Sequence, residues 1–343
     1  MLLLARITLI TLVCTVGGAG VAQAVPQSGD GMASVWPHSR PAAEDGFTEV
    51  KLGFFVVDIL SVDDATETFV GDFFYSLKWR DPSLVAEGGR GGSQVRLEDI
   101  WSPRLVIVNG KSVQHLLDEV AEIDDDGNVS YRQRIRGGFS CDLDLRSFPF
   151  DEQELSVSMT FIGRDATSLR LVPDRDFEGS LEDISPAGWQ VESFGSSMSM
   201  EYIASQGRAL PRADQRMHAR RIPNFYWLKV FLPLALIVFM AWTVFWIDPR
   251  DLGPQIGVAT SSVFTLIAFQ LSLGDTLPRI AYTTQADEFI LGSTLLVFLA
   301  LGEAVATGRL ARLDRDLEAQ RFDRIARAIY PLVFVALAAT TAI

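Results

Sequence analysis

Residues that could perform covalent chemistry are few in this chain of 343 residues. The sequence has two cysteines and three histidines, His38, His115 and His218, and the histidines are not spaced as metal ligands usually are. No nucleophile-bearing turn and no glycine-rich phosphate-binding loop are found. An enzyme is therefore the least favoured class of function, and we expect neither a cofactor nor a metal site.

The acidic residues suggest a different chemistry. The formal net charge is −13, and nearly all of the acidic excess lies between Val25 and Arg221. Such a surface argues against nucleic acid and would concentrate small cations. The segment DEVAEIDDDGN, 118–128, could bind a divalent cation through its oxygens. It lacks the full EF-hand spacing, so an exposed acidic hairpin is the favoured interpretation.

A rigid apolar corner stands in the middle of the acidic part, in the segment CDLDLRSFPFDEQEL, 141–155. Pro149 fixes its own φ and restricts Phe148, so the Phe-Pro-Phe-Asp unit predicts a stiff connection between two strands. Cys141 begins the segment and has no cysteine partner downstream. A small buried apolar residue is the favoured role for Cys141, ahead of a redox role.

The first residues predict export. With a mean hydropathy of +0.20, the chain is too apolar for an ordinary soluble enzyme. Residues 1–24 have one arginine, an apolar run and a small-x-small ending, which is typical of a secretory signal peptide. An uncleaved membrane anchor is the alternative. Cleavage would remove Cys14 and leave Cys141 alone, so no internal disulfide is expected.

The exported part divides into two domains. In 25–221, turn residues separate short runs of alternating apolar and polar residues, which predicts a β-sandwich or barrel. The clearest runs are KLGFFVVDIL, TFVGDFFYSLKW, VSYRQRIRGGFSCDLDL, ELSVSMTFIG and WQVESFGSSMSMEYIA. Residues 26–45 read as a loose arm or a short helix. In 222–343, apolar runs predict four membrane helices, at about 222–247, 252–273, 286–308 and 322–343.

Arginines give the orientation of these helices. Six of them lie between the third and fourth runs, namely Arg309, Arg312, Arg315, Arg321, Arg324 and Arg327. The positive-inside rule makes that connection cytoplasmic, so the large domain and both termini would lie outside.

The second apolar run carries polar residues that lipid contact does not require. At helical spacing one face holds small and polar residues, then large apolar ones, then an acid. Its residues are Gly257, Ser261, Phe264, Ala268, Leu271 and Asp275. Several copies around an axis would form a water-filled path with a hydrophobic constriction. Tight helix packing through small and hydroxyl residues is the alternative.

Taken together, these features resemble the pentameric ligand-gated ion channels, the Cys-loop receptor family with its bacterial members. Four motifs stand at positions that match the family: FPFDEQ, Trp79 in KWRD, the Trp-x-Pro of IWSPRLVIVNG, and LPR at 277–279. The interval between Arg221 and Pro233 also matches the family's spacing. The resemblance implies an extracellular immunoglobulin-like β-sandwich followed by a four-helix transmembrane domain. It also implies a homopentamer in which Cys141 matches the first bridging cysteine, while Leu155 occupies the second position.

The resemblance also assigns residues to the junction between the domains. The expected gating interface comprises Asp63, Asp64, Phe148, Pro149, Phe150, Asp151, Arg221 and Arg279. Charges at a partly desolvated interface interact strongly and can have two discrete arrangements. Solvated surface charges are the alternative, above all for Asp63 and Asp64.

In relatives the ligand site lies between subunits and is walled by aromatic residues. Here the matching or compensating candidates are Phe74, Tyr131, Phe161 and Tyr202, with Arg208 and Arg212 in the expected capping loop; core packing is the alternative for each aromatic. An acetylcholine-like box is not expected, because Val108 and Ile162 stand where other members often have Tyr or Trp. A different small molecule, or protons, fits better.

The function we expect is a ligand-gated channel of the bacterial inner membrane. Lipid, inorganic ions and a small-molecule or proton agonist are the expected partners, without nucleic acid. The acidic outer domain and Asp275 favour cations, whereas Gly253-Pro254-Gln255 looks closer to the inner mouth of anion-selective members. A non-conducting membrane-anchored sensor is the alternative function.

Overall fold

The computed structural model describes residues 39–41, 46–85, 93–163, 165–181, 184–204, 206–274, 277 and 280–341. The predicted signal peptide, most of the predicted arm at 26–45, and the site candidates Asp275 and Arg279 lie outside these residues.

Twelve strands are found among the described residues before Ile222. They are β1 (Thr48–Asp63), β2 (Thr68–Arg80), β3 (Ser93–Arg96), β4 (Arg104–Ile107), β5 (Gly110–His115), β6 (Val120–Ile123), β7 (Asn128–Ser140), β8 (Glu152–Ile162), β9 (Leu169–Pro173), β10 (Gly179–Ser180), β11 (Trp189–Ile203) and β12 (Arg208–Arg221).

These strands form two sheets. One has the order β10-β1-β2-β7-β6-β3, with β5 also paired to β7 and β9 also paired to β1. The other has the order β11-β12-β8-β4. Side chains of both sheets share one apolar core, which includes Phe69, Phe73, Phe139, Leu155 and Met159. The sandwich prediction is thereby confirmed.

Strand β7 illustrates how the sequence produces this packing. Val129, Tyr131, Gln133 and Ile135 alternate with more exposed neighbours, so every second side chain enters the core. A turn with Gly127 at a φ of +75° precedes β7, as the Asp-Gly pair predicts. The strand ends at Ser140, before the end of the alternating run that we predicted to continue through 145. Beyond Ser140 the chain bends into the corner instead.

Four helices follow the sandwich in the described part of the chain. They are α1 (Asn224–Trp246), α2 (Leu252–Ser272), α3 (Gln285–Arg312) and α4 (Asp316–Thr341). The first three are long and apolar enough to cross a membrane. Helix α4 begins earlier than we predicted, and its first turns are rich in charged residues. Membrane crossing by α4 therefore stays a prediction.

Two prolines shape the helices. Pro233 has no N–H for the carbonyl of Lys229, and a wide π-helical turn, Trp227–Phe231, precedes it. Pro331 lies inside α4 and likewise cannot bond the carbonyl of Arg327. The indole Nε1 of Trp242 donates to that carbonyl at 3.0 Å. The hydrogen bond that Pro331 removes is thus replaced by one that joins α1 to α4.

Candidate functional site

The junction between sandwich and helices is centred on Arg221, the last residue of β12. Its Nε donates to Asp151 Oδ1 at 2.7 Å, and its Nη2 donates to Asp151 Oδ2 at 3.2 Å. Its Nη1 and Nη2 donate to the Asp64 carboxylate at 2.9 and 2.7 Å. One guanidinium therefore clamps the turn after β1 and the corner before β8 to the end of the sandwich.

This cluster is buried. Arg221 is 6% exposed and Asp151 1% exposed. The guanidinium also lies over the rings of Trp189 and Phe148, at 4.1 and 4.8 Å from their centroids. Burial alone would lower the pKa of Arg221, but the hydrogen bonds and charges of Asp64 and Asp151 outweigh it and raise that pKa. The alternative of solvated surface charges is wrong for Asp151 and Arg221.

Asp63 does not join the cluster. Its Oδ1 accepts hydrogen bonds from the backbone N–H groups of Ala65 and Thr66, at 2.9 and 3.2 Å. Hydrogen bonds, chiefly from the Thr66 side chain, lower the pKa of Asp63. We therefore correct the expected role of Asp63: its exposed carboxylate orders the turn from β1 to β2, while the neighbouring Asp64 reaches Arg221.

The phenylalanines of the corner contact the start of α1, on either side of Pro149. Phe148 is fully buried in the sandwich core, and its ring meets that of Tyr226 edge to face at 4.8 Å. Phe150 packs on Trp227 and Phe231, at 5.7 and 6.0 Å between ring centroids. The corner thus bridges the core of the sandwich and that of the helices.

A side-chain amide fixes the corner without a disulfide. Gln153 Nε2 donates to the Asp144 carbonyl at 2.8 Å and to Asp151 Oδ2 at 2.6 Å, and its Oε1 accepts from the Asp144 N–H at 3.1 Å. Cys141 and Leu155 are both buried in the sandwich core. Burial, together with nearby carboxylates, raises the pKa of the Cys141 thiol to about 12. Such a thiol is inert at neutral pH, which agrees with a packing role.

The start of α3 binds the same corner. The backbone N–H groups of Gln285 and Ala286 donate to the carbonyls of Arg146 and Phe148, at 3.0 and 3.1 Å. The first N–H groups of a helix have no partner within it, so here the corner supplies their acceptors. Thr284 and Asp287 complete this helix start with a capping box. That Thr-x-x-Asp pattern signals a helix start, but nothing local in the sequence identifies the acceptors.

Tyr282 adds a second link that sequence reasoning missed. Its hydroxyl accepts from the Leu145 N–H at 3.0 Å and donates to the Leu143 carbonyl at 3.2 Å. The Arg146 guanidinium lies 5.3 Å from the centre of its ring. The segment that joins α2 to α3 is therefore attached to the corner by a side chain as well as by the backbone.

Helix α2 presents the predicted pore face to the outside of the single chain. The described members of that face, Gly257, Ser261, Phe264, Ala268 and Leu271, are all exposed. Phe264 is 67% exposed and Leu271 78% exposed, so no other part of the described chain covers these large apolar side chains. The opposite face packs against the other helices through Gln255, Ala259, Ser262, Val263 and Leu266.

Two ligand-site candidates lie on different sheets of the sandwich. Phe74 is half-buried on β2, and the Arg134 guanidinium lies 5.5 Å from the centre of its ring. Arg134 and Arg136 both bind Asp72, and their hydrogen bonds outweigh the effect of burial and lower the pKa of Asp72. Tyr202 is 67% exposed near the end of β11. One chain does not bring Phe74 and Tyr202 together.

Other ligand-site candidates need correction. Tyr131 is 3% exposed and Phe161 is fully buried, because their register on β7 and β8 turns both side chains into the core. Neither side chain can therefore contact a ligand bound at the surface of the sandwich. Arg208 and Arg212 lie in β12 and not in a loop. Arg208 donates to the Gly163 carbonyl at 2.8 Å, and Arg212 pairs with Glu201 and Asp214.

Comparison with known families agrees with this geometry. A model of the neurotransmitter-gated ion-channel ligand binding domain matches residues 35–220. A model of the neurotransmitter-gated ion-channel transmembrane region matches residues 230–315. The first match covers the sandwich, and the second covers most of α1 together with α2 and α3.

Individual relatives are similar over most of this chain. The proton-gated ion channel of Gloeobacter violaceus is 28% identical over 298 residues, which are 86% of this chain and 82% of that protein. The human gamma-aminobutyric acid receptor subunit alpha-2 is 24% identical over 77% of this chain, and the rat glycine receptor subunit beta 26% identical over 85%. The matches span only 60% and 61% of these two animal proteins.

Proposed function

The chain belongs to the family of neurotransmitter-gated ion channels, the Cys-loop receptors, and we propose that five copies of it form a homopentameric channel. In this assembly α2 lines the pore, and a chemical signal in the sandwich opens it. The family consists of ligand-gated channels and not of enzymes. The observation that carries the proposal is the uncovered face of α2, on which Phe264 and Leu271 are exposed in one chain.

The physical argument for the pore rests on what covers that face. Large apolar patches on a helix require a partner or lipid. The same face also holds Gly257 and Ser261, and the Ser261 hydroxyl donates to the Gly257 carbonyl at 2.8 Å. Small and hydroxyl-bearing residues at one end suit water and ions, whereas a ring of Phe264 side chains suits a hydrophobic gate. A fivefold axis along this face would cover the apolar side chains with those of neighbouring copies and would place the small and hydroxyl-bearing residues along an ion path.

The junction supports a route from the sandwich to the pore. Arg221, Asp64 and Asp151 join strands of both sheets to the corner, and the corner holds the start of α3. Helix α3 follows directly on the segment after α2. A movement of the sandwich would therefore reach the outer end of α2 through hydrogen-bonded groups.

For selectivity we propose cations. Arg250, which could offset the charge of Asp251 at the inner mouth, is paired with Asp316 of α4. Among the described residues, the Asp251 carboxylate has no ion-pair partner, and this residue is exposed. Gln255 of the mouth motif is fully buried and faces Thr307, so it does not line a path. Five copies of Asp251 would attract cations.

The agonist site is proposed between subunits, with Phe74, Tyr202 and Arg208 as its residues in this chain. Tyr202 is exposed and Phe74 half-exposed, which leaves both available to a neighbouring copy. The relative from Gloeobacter violaceus is described as proton-gated. Protons are accordingly the first agonist to test, followed by small molecules.

The cell location is proposed to be the bacterial inner membrane, with the sandwich and both termini on the periplasmic side. Arg309 and Arg312 end α3, and further arginines fill the first turns of α4. This basic end lies opposite the sandwich along α3 and suits the cytoplasmic face.

One experiment tests the proposal: currents through the purified protein in a planar bilayer, recorded during pH steps and during application of small molecules. We expect agonist-dependent currents whose reversal potential in a sodium chloride gradient moves toward the sodium equilibrium potential. Asp251→Asn should weaken this selectivity, with Glu288→Gln, an exposed site on α3, as the control. Reversal toward the chloride potential would contradict the cation proposal. Ligand binding without any current would favour the non-conducting sensor.

A further inference from the structure

Two acidic side chains meet inside the helix bundle, far from the junction. Glu303 of α3 and Asp323 of α4 lie within hydrogen-bonding contact of each other. All four carboxylate oxygens are buried, and no residue in the described part of the chain donates a hydrogen bond to them. Asp323 is only 1% exposed. Buried oxygens without a donor are costly, so this pair requires an explanation.

The surroundings do not supply the missing donor. Arg327 is a basic group whose charge acts on both carboxylates. Its Nε donates to the Phe245 carbonyl at 2.8 Å, and its guanidinium lies 4.7 Å from the centre of the Trp246 ring. No ion pair joins Arg327 to either carboxylate, all three residues being described. Asp248, in the segment after α1, adds a further negative charge to the field at Asp323. Ala304, the residue after Glu303 in α3, belongs to a small buried apolar cluster with Val244 of α1 and Ala259 of α2.

Two ionised carboxylates in contact repel each other strongly in an environment of low dielectric constant. One proton between them would supply the missing donor and remove one of the two charges. A metal ion fits less well, because the two carboxylates contact each other directly and the described residues offer no third acidic ligand.

We propose that Glu303 and Asp323 bind one shared proton at neutral pH, and that this proton holds α4 against α3. The pair is a proton-binding site separate from any agonist site in the sandwich. Loss of the proton leaves two adjacent charges between the helices and weakens their packing. The pH of the cell interior would then act on the fourth helix independently of the external signal.

The first test is infrared spectroscopy of the purified full-length protein at neutral pH, which detects the carbonyl stretch of a protonated carboxylic acid. We expect such a band in the wild type, its loss on titration to alkaline pH, and its absence from Glu303→Gln and Asp323→Asn. Glu288→Gln, an exposed position on the same helix, should keep the band. The proposal would be overturned if the wild-type spectrum at neutral pH contains no band that disappears in both Glu303→Gln and Asp323→Asn.

The second test is thermal unfolding as a function of pH. At neutral pH the folded pair holds a proton that the two carboxylates of the unfolded chain do not hold, so stability should fall as pH rises. The unfolding equilibrium constant of the wild type should then increase by up to about tenfold per pH unit. In Glu303→Gln the amide donates permanently to Asp323, so this variant should fold and lose the dependence. Equal pH slopes in both proteins, or stabilisation by calcium ions that only the wild type shows, would refute the shared proton.

Discussion

Replacing Arg221 with alanine should destabilise the junction and impair opening, because it removes a guanidinium that donates four hydrogen bonds to two carboxylates. Asp151 would remain in a site where it is 1% exposed, with its charge no longer compensated. We expect the variant to assemble but to open poorly, and Asp151→Ala to behave in the same way.

The magnitude follows from the burial of the two partners. Hydrogen bonds to charged groups contribute about 1.5–3 kcal/mol each, so a simple sum over four would be about 6–12 kcal/mol. That sum is too large, because Gln153 still donates to Asp151 and the Asp64 side chain, 19% exposed, can regain water. Breaking one side of a buried ion pair costs about 3–5 kcal/mol, which is the loss we expect.

The assay combines chemical unfolding of the purified protein with open probability at equal surface expression. Arg216→Ala is the control: it lies on the same strand, its side chain is 51% exposed, and its ion pair with Glu154 should contribute less than about 1 kcal/mol. Arg221→Lys keeps the charge but not the planar fork and should be intermediate. Asp151→Asn added to Arg221→Ala should recover part of the loss. Wild-type stability and open probability in Arg221→Ala would refute the reasoning.

Three further predictions concern the gate, the corner and the thiol. Phe264→Ser should let water into the proposed constriction and give leak current without agonist, whereas the Ala268→Ser channel should stay closed. If neither variant conducts without agonist, Leu271 becomes the next candidate for the gate. Tyr282→Phe should cost about 1–3 kcal/mol, because it leaves the N–H of buried Leu145 without its acceptor, and Tyr202→Phe, at an exposed site, should have no effect on unfolding. Since the pKa of Cys141 is raised to about 12, only on the order of one thiol in 10⁵ is ionised at neutral pH. In a Cys14→Ser background Cys141 should therefore resist a thiol reagent that modifies an introduced Tyr202→Cys, and rapid labelling of Cys141 in the folded protein would contradict its burial.

Much of the architecture could be predicted because it follows from local periodicity. Alternation in runs such as KLGFFVVDIL predicts strands with one buried face, and the structure has β1 there. The apolar run at 252–273 predicted nearly the observed bounds of α2, because apolar residues extend over the length of that helix. Helix α4 was placed less well, since its first turns are charged and lack the apolar run on which the prediction depended.

Side-chain roles could be predicted only where motif and position coincide. Phe148, Phe150, Asp151 and Arg221 were found through the motif and lie together in the structure. Tyr131 and Phe161 were misjudged, because an aromatic residue in a strand faces the core or the surface according to a register that one sequence does not show. Trp189 and Tyr282 were missed, because their partners lie on other elements that no spacing connects to them. Gln153 belongs to the motif, but its hydrogen bonds to Asp144 and Asp151 depend on how the corner folds back on itself.

These contacts explain how the corner can transmit a movement without a disulfide. Gln153 and Arg221 hold it on the sandwich side through Asp144 and Asp151. On the helix side its carbonyls accept the first N–H groups of α3. Moving the corner away from α3 would leave buried donors unsatisfied, at about 1–3 kcal/mol each. A shift of the corner with α3 breaks none of these bonds. The corner should therefore move with the start of α3 as one body, while the charge cluster around Arg221 is the part that can rearrange.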